Sequence, residues 1–255
     1  MQYDAFIVAG GRAPWLKEIA GTDIRCLAPL HNKRMLDYIL GAMLASKRFR
    51  HIVIAVDEAA IPALEGTLPE GVSLCAAGNN LPSTCIRAAS TLTNDENVKI
   101  LGVCDDIPLL TPEGINDFLN QCEKHPLAEL YYPIIPKSDC LKSYPEAKRT
   151  YGKMADGVFT GGNMMLAPKR VMVHCQTKAE EIFERRKNPL KLGSWLGWSF
   201  ILKLLLHLLT VSDAEKRTSE LLGVRCKAII TPYPEIGMDV DKPADLQLAE
   251  KYLQP

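Results

Sequence analysis

Asp4-Ala5-Phe6-Ile7-Val8-Ala9-Gly10-Gly11-Arg12 opens the chain with an apolar run that stops at two glycines and an arginine. A short apolar run closed by a glycine turn reads as a strand covered on both faces, the condition of a parallel sheet. Working outward, similar runs recur at 51–56, 72–76, 98–103, 130–135, 163–167 and 225–230. They alternate with amphipathic stretches at 35–46, 83–92, 111–123, 179–186, 195–209, 214–222 and 243–252. That alternation predicts βαβ units, hence an α/β chain with a mostly parallel central sheet flanked by helices. Thr111-Pro112-Glu113 offers an N-cap hydroxyl followed by proline at the first helical position, and Ser212-Asp213-Ala214-Glu215 reads as a capping box. No repeat or Gly/Ser linker interrupts the pattern, so residues 1–255 read as one domain. Less regular excursions lie at about 137–162 and 178–222, where ligand-handling loops are expected.

Composition narrows the function classes. The 255 residues carry 30 Lys+Arg against 30 Asp+Glu, and 47% are hydrophobic. A neutral chain argues against binding nucleic acid by bulk counterion release. The eight cysteines show no C-x-x-C pair, so neither a zinc cage nor a disulfide framework is indicated. The first residues lack a basic n-region and a small-residue cleavage site and read as a strand, which predicts a cytoplasmic protein. The most apolar segment, 195–211, contains Lys203 and His207. A central lysine costs about 2.5–3.5 kcal/mol on insertion scales, so a buried or groove-lining helix is expected in place of a membrane span. His207 is expected to be a satisfied core or groove residue.

Three stretches carry chemistry. Gly10-Gly11 lets the backbone approach a ligand, and its N–H groups can cradle a phosphate, although a tight turn needs the same glycines. Neither G-x-G-x-x-G nor G-K-[ST] is present. From residue 11 to 50 there are eight basic residues against three acidic ones, a local excess that suits a triphosphate or a solvated loop. In the second stretch, 98–111, an apolar strand ends in Asp105-Asp106-Ile107-Pro108. Adjacent carboxylates at a strand end need a cation or donors to offset them, unless one merely caps the next turn. Strand alternation predicts that only one of the pair faces the site. Third, Asp239-Val240-Asp241 has D-x-D spacing, which places both carboxylates on one face of an extended segment where they can approach one divalent ion. Asp241 also precedes Pro243 at a helix start, so capping is the competing reading.

Taken in order, Ala9-Gly10-Gly11, Arg25-Cys26-Leu27-Ala28-Pro29-Leu30 with Lys33-Arg34-Met35, Asp106-Ile107-Pro108 and Asp239-Val240-Asp241-Lys242-Pro243-Ala244-Asp245-Leu246 resemble the MobA-like nucleotidyltransferase family. The likeness runs over nearly the whole chain and implies the Rossmann-like GT-A-type nucleotidyltransferase fold. It implies transfer of an NMP from an NTP to a small-molecule acceptor with release of pyrophosphate, with no nucleic-acid partner. It assigns Asp106 and Asp241 to Mg²⁺ (or Mn²⁺), with Asp239 as a supporting ligand. Ala9, Gly10, Gly11, Arg12 and Arg25 would wrap the triphosphate, with Arg12, Arg25 and Asp106 catalytic. Asn80 and Ser83 fall where such enzymes read base and ribose, and capping of the next helix is the alternative for Ser83. Gly162 and Asn163 correspond to the acceptor side, with Arg149 and Lys153 as candidates for an acceptor phosphate or as solvated bases. Two departures stand out. Pro14-Trp15-Leu16-Lys17-Glu18 interrupts the signature loop, and Arg25 stands where the family has lysine, leaving Lys17 and Lys33 as ammonium candidates. A nucleotide-sugar glycosyltransferase and a non-catalytic nucleotide-binding homologue are the competing functions. Charge patterning further predicts that the basic excess of 11–50 meets the acidic 235–250 segment and Asp106 at one cleft.

Overall fold

The computed structural model of the chain describes residues 2–185 and 197–253. Its strands are β1 (Tyr3–Ala9), the short pair β2 (Pro29–Leu30) and β3 (Lys33–Arg34), β4 (Phe49–Val56), β5 (Val72–Ala76), β6 (Lys99–Cys104), β7 (Leu130–Pro136), β8 (Gly152–Met154), β9 (Gly157–Gly161), β10 (Met164–Pro168) and β11 (Cys226–Ile230). Apart from the β2–β3 pair, they form one sheet in the order β5-β4-β1-β6-β10-β7-β9-β8, with β11 on β7. The β5-β4-β1-β6 half and the β7–β11 pair are parallel, whereas β10 runs antiparallel to β6 and β7, and β9 antiparallel to β7 and β8.

Helices cover both faces. They are α1 (Leu16–Ala20), α2 (Met35–Ala45), α3 (Ile61–Leu64), α4 (Leu81–Leu92), α5 (Pro112–Glu123), α6 (Lys137–Ser143), α7 (Lys169–Arg185), α8 (Trp198–Leu205), α9 (Val211–Leu222) and α10 (Pro243–Tyr252). The two-residue period of β1 divides the core. Tyr3, Ala5, Ile7 and Ala9 pack with Leu36, Ile39 and Met43 of α2 and Phe118 of α5, while Phe6 packs with Ala88 and Ala89 of α4 and Val171 of α7. A third cluster, including Leu16, Leu30, Met35, Ile135, Met238 and Val240, ties the first loop to the C-terminal segment.

β9 and β10 are nearly one strand, broken at Gly162-Asn163, so that β9 stays on β7 while β10 moves across to β6. Three backbone bonds fix the break: Gly162 N–H donates to Pro133 O at 3.0 Å, Asn163 N–H to Ile236 O at 2.9 Å, and Cys104 N–H to Asn163 O at 3.0 Å. A Cβ at Gly162 would lie 2.8 Å from side-chain atoms of Ile236 and Pro133, so glycine is needed for this approach.

Four expectations change. Residues 137–162 hold α6, β8 and β9, whose short spans carry too little periodicity to declare themselves. The helix expected at 179–186 begins nearly three turns earlier, at Lys169, directly after β10; residue 186 lies outside the described residues. α9 is capped by Thr210, whose hydroxyl accepts from Asp213 N–H at 3.0 Å while the Asp213 carboxylate accepts from Thr210 N–H, so the box begins two residues before Ser212. Of the apolar segment 195–211, residues 195 and 196 lie outside the described residues. Leu209 and Val211 are buried, whereas Leu202, Leu205, Leu206 and Leu208 are exposed, and so is His207, at φ 57°. Among the described residues no helix is long and apolar enough to cross a membrane.

Phe6 is fully buried, and Gly102 on β6 has no Cβ because one would lie 2.7 Å from the Phe6 ring. Phe6→Ala should therefore cost about 3–5 kcal/mol of stability, seen as a lower urea midpoint at unchanged m-value; a loss under about 1 kcal/mol would contradict this packing.

Candidate active site at the carboxyl ends of β1 and β6

Just past the end of β6, Asp105 and Asp106 meet the guanidinium of Arg25. Asp105 is fully buried and its Oδ1 accepts from Arg25 Nε at 3.0 Å and Nη2 at 2.6 Å. Arg25 Nη1 faces Asp106 Oδ2 at 3.1 Å and Asp241 Oδ1 at 3.7 Å. One cation is thus shared by three carboxylates. Both members of the Asp pair engage it, which departs from the strand-alternation expectation because β6 has ended at Cys104 and the chain is already turning. Burial pushes the Asp105 pKa up to about 6, with Arg25 pulling the other way and Asp106 adding repulsion. Burial works against the Arg25 charge too, and the two aspartates outweigh it and hold its pKa above the ordinary value. Asp105 Oδ2 is buried without a hydrogen-bond partner.

The Gly-Gly loop is shaped to this cation. A Cβ on Gly11 would lie 2.8 Å from Arg25 Nη2, and Arg25 N–H donates to Gly11 O at 3.2 Å, so the glycine clears the path of the guanidinium. A Cβ on Gly10 would lie 2.5 Å from that of Ala77, which brings the loop after β5 against the loop after β1. Ala9 is the buried last residue of β1.

The C-terminal acids are placed by backbone pairing. Val240 N–H donates to Asp106 O at 2.8 Å, and Ile236 O accepts from Asn163, so residues 236–240 are held between the turn after β6 and the β9–β10 break. The Thr111 hydroxyl, which caps α5, donates to buried Glu235 at 2.5 Å and anchors the start of this segment. Asn163 Nδ2 donates to Asp106 Oδ1 at 3.0 Å, so Asn163 and Asp106 share the cleft. Asp239 is half-enclosed and ion-paired with Arg149. Burial raises the Asp239 pKa, Arg149 lowers it, and Asp241 and Asp106 raise it further, consistent with all three acids lying together.

Several expected roles are corrected by these partners. Arg12 does not reach into the cleft as a free phosphate ligand: its Nε and Nη2 bind Asp57 at 2.8 and 2.9 Å and its Nη1 binds Asp23 at 3.0 Å. The pairing, together with the bridge between Arg12 and Ile24, clamps the interrupted signature loop. The Arg12 hydrogen bonds hold the Asp57 carboxyl below its usual range. Asn80 and Ser83 cap α4 reciprocally, with Ser83 N–H donating to Asn80 Oδ1 at 2.8 Å and Asn80 N–H to Ser83 Oγ at 3.0 Å. Arg149 and Asp239 neutralise each other, so neither is a free phosphate or metal ligand. Lys153 is exposed on β8 and contacts none of the acids; Lys33 lies 5.4 Å from the centre of the Tyr38 ring. The 11–50 and 235–250 segments therefore meet beside Asp106 through Arg25 and Asp241, while Asp239 pairs with Arg149, which lies outside both segments.

Among the described residues, no group of three or more His, Cys, Asp or Glu side chains forms a metal cage. Two carboxylates do fit a cation: Asp106 Oδ2 and Asp241 Oδ1 face one point, now filled by Arg25 Nη1. Mg²⁺ is commonly held through one or two carboxylates, water and substrate phosphates, which matches this pair.

The arrangement is that of the Rossmann-like nucleotidyltransferase fold. A Thermus thermophilus protein described as a hypothetical transferase is 32% identical over 96% of this chain and 100% of its own, with a TM-score of 0.82, and the chain belongs to the family of that protein. The 4-diphosphocytidyl-2C-methyl-D-erythritol synthase of Anaerococcus prevotii is 12% identical, over 100% and 99% of the two chains, with a TM-score of 0.60. A CMP:2-keto-3-deoxy-manno-octonic acid synthetase, solved with CTP, is 10% identical over 98% of each chain at a TM-score of 0.60. At those identities the two synthetases share the fold. No protein-family profile matches the chain, and no curated protein matches it.

Arg25→Met leaves Asp105 buried without its cation and should cost about 3–5 kcal/mol near neutral pH. The sign of its pH dependence follows from burial. In the variant the folded pKa of Asp105 stands above the unfolded value of about 3.9, so the folded state binds the proton more tightly and stability falls as pH rises between the two. Urea unfolding of the variant should therefore show recovery on acidification from pH 7 towards 5; no such recovery relative to the unsubstituted protein would contradict the assignment.

Proposed function

We propose that the chain is a nucleotidyltransferase that moves an NMP from an NTP to a small phosphorylated acceptor. The observation that carries this reading is the convergence of Asp106 and Asp241 on one cation beside the Gly10-Gly11 loop. An acceptor phosphate oxygen attacks the α-phosphorus, forming a new P–O bond. The bond from the α-phosphorus to the α,β-bridging oxygen breaks, and pyrophosphate leaves with that electron pair. A phosphate dianion needs no base, so the chain's work is positioning and charge neutralisation.

Asp106 and Asp241 would hold Mg²⁺, which when bound neutralises charge on the triphosphate oxygens. Arg25 has two handles. Its Nε and Nη2 stay on Asp105, while Nη1 can exchange its contacts with Asp106 and Asp241 for a phosphate oxygen. Asn163 orients Asp106 and offers an amide to the acceptor side. The backbone N–H groups of Gly10 and Gly11 line the approach of the phosphates. The MobA-like motif order supports the same reading at finer grain.

The engagement of Asp106 and Asp241 by Arg25, together with the pairing of Arg12, favours a second reading, a nucleotide-binding protein without turnover. One experiment separates them. The protein is incubated with Mg²⁺ and each NTP over a panel of phosphorylated acceptors, with pyrophosphate release and melting temperature followed. The enzyme reading expects an NTP-induced rise in melting temperature and pyrophosphate release. Asp106→Asn should lower turnover at least about 100-fold with the fold intact. A thermal shift without pyrophosphate selects the second reading, and neither signal overturns both.

A further inference from the structure

On the face of the sheet opposite α2 and α5, a cavity of about 760 Å³ lies between β7, β9, β10 and β11 and the helices α4, α7 and α9. Its volume is that of a ligand site. Among the described residues its wall is almost wholly apolar, and the two charged ones on it, Glu215 and Lys227, are spent on each other at 2.9 Å. A sugar phosphate would find few polar partners in it.

The cavity borders the acceptor side of the candidate site along β9. Thr160 and Gly161 form part of its wall and lead directly to Gly162 and Asn163, the residue that bonds Asp106. Tyr132 stands between the two. It is 42% exposed into the cavity, its hydroxyl would lie 2.7 Å from a Cβ on Gly161, and its phenol feels the charges of Arg149 and Asp239. Beside the cavity wall at Val211, the preceding segment exposes Leu202, Leu205, Leu206 and Leu208. An apolar cavity, a polar centre at one end and an exposed leucine cluster beside its wall together match an amphiphile.

Resting on the nucleotidyltransferase reading, we propose that the acceptor is a lipid monophosphate whose hydrocarbon chain occupies this cavity and whose phosphate lies at Asn163. The cavity then selects the acceptor by chain length.

The test is calorimetric titration of the full chain with C5, C10 and C15 prenyl monophosphates below their critical micelle concentrations, with inorganic phosphate as control. Affinity should rise by about tenfold or more with each five-carbon unit, in keeping with burial of apolar chain. Ala179→Trp and Ala214→Trp, on two different helices of the wall, should each abolish that dependence while leaving the NTP-induced rise in melting temperature unchanged; two variants guard against one that fails to fold. Chain-length-independent binding, or none beyond inorganic phosphate, alongside an intact NTP response overturns the lipid site and leaves the transferase reading standing. Chain-length-dependent binding with no NTP response supports the cavity assignment and overturns nucleotidyl transfer.

Discussion

The buried contact between Arg25 and Asp105 organises the rest of the site. A guanidinium taken out of water is costly unless its donors are met, and here they are met by two carboxylates at the end of β6 with a third from the C-terminal segment. The requirement propagates outward. Gly11 is glycine because the guanidinium passes where a Cβ would be, and the loop after β1 is held by the separate clamp of Arg12 on Asp23 and Asp57. The planar fork of arginine matters: it holds Asp105 with one edge and presents its remaining nitrogen to Asp106 and Asp241, which a single lysine ammonium could not do with the same geometry.

Position in the sheet explains why the cluster forms there. β1 and β6 are parallel neighbours, so their carboxyl ends emerge together, and ligand sites of open α/β sheets lie at such ends. The antiparallel β10 brings Asn163 to the same place from the opposite direction, at a strand break fixed by backbone bonds to Pro133, Ile236 and Cys104. Asp239 and Asp241 arrive because Val240 pairs with the backbone of Asp106. The site is assembled by main-chain hydrogen bonds, with side-chain chemistry placed upon them.

Much of the fold was legible because buried parallel strands write continuous apolar runs, and β1, β6 and residues 52–56 of β4 are such runs. The convergence of Gly10-Gly11, Asp106 and Asp241 was legible from motif order. What escaped were partnerships. Nothing in the sequence pairs Arg12 with Asp57, 45 positions away, or Arg149 with Asp239, and each pairing removes a charge that had been read as free. Asn80 and Ser83 carried a cap signal, N-x-x-S ahead of an apolar stretch, that could have settled their role from the start. The short β8 and β9 and the exposed leucines in and after α8 were hidden for a different reason: three to five residues of strand carry too little period, and an apolar stretch does not declare which of its residues face solvent.

The neutral charge of the chain is thus uneven at the cleft: a single cation, Arg25, faces the three acids Asp105, Asp106 and Asp241, while Arg149 pairs one to one with Asp239. The central claim is that Arg25 is a resident cation anchored on Asp105 that yields its contacts with Asp106 and Asp241 to the substrate complex. A crystal structure with Mg²⁺ and a non-hydrolysable NTP analogue tests it most directly. Arg25 is expected still bound to Asp105, with its Nη1 turned to a phosphate oxygen and the metal between Asp106 and Asp241. Nucleotide bound elsewhere, with Arg25 unmoved between the two carboxylates, would contradict it.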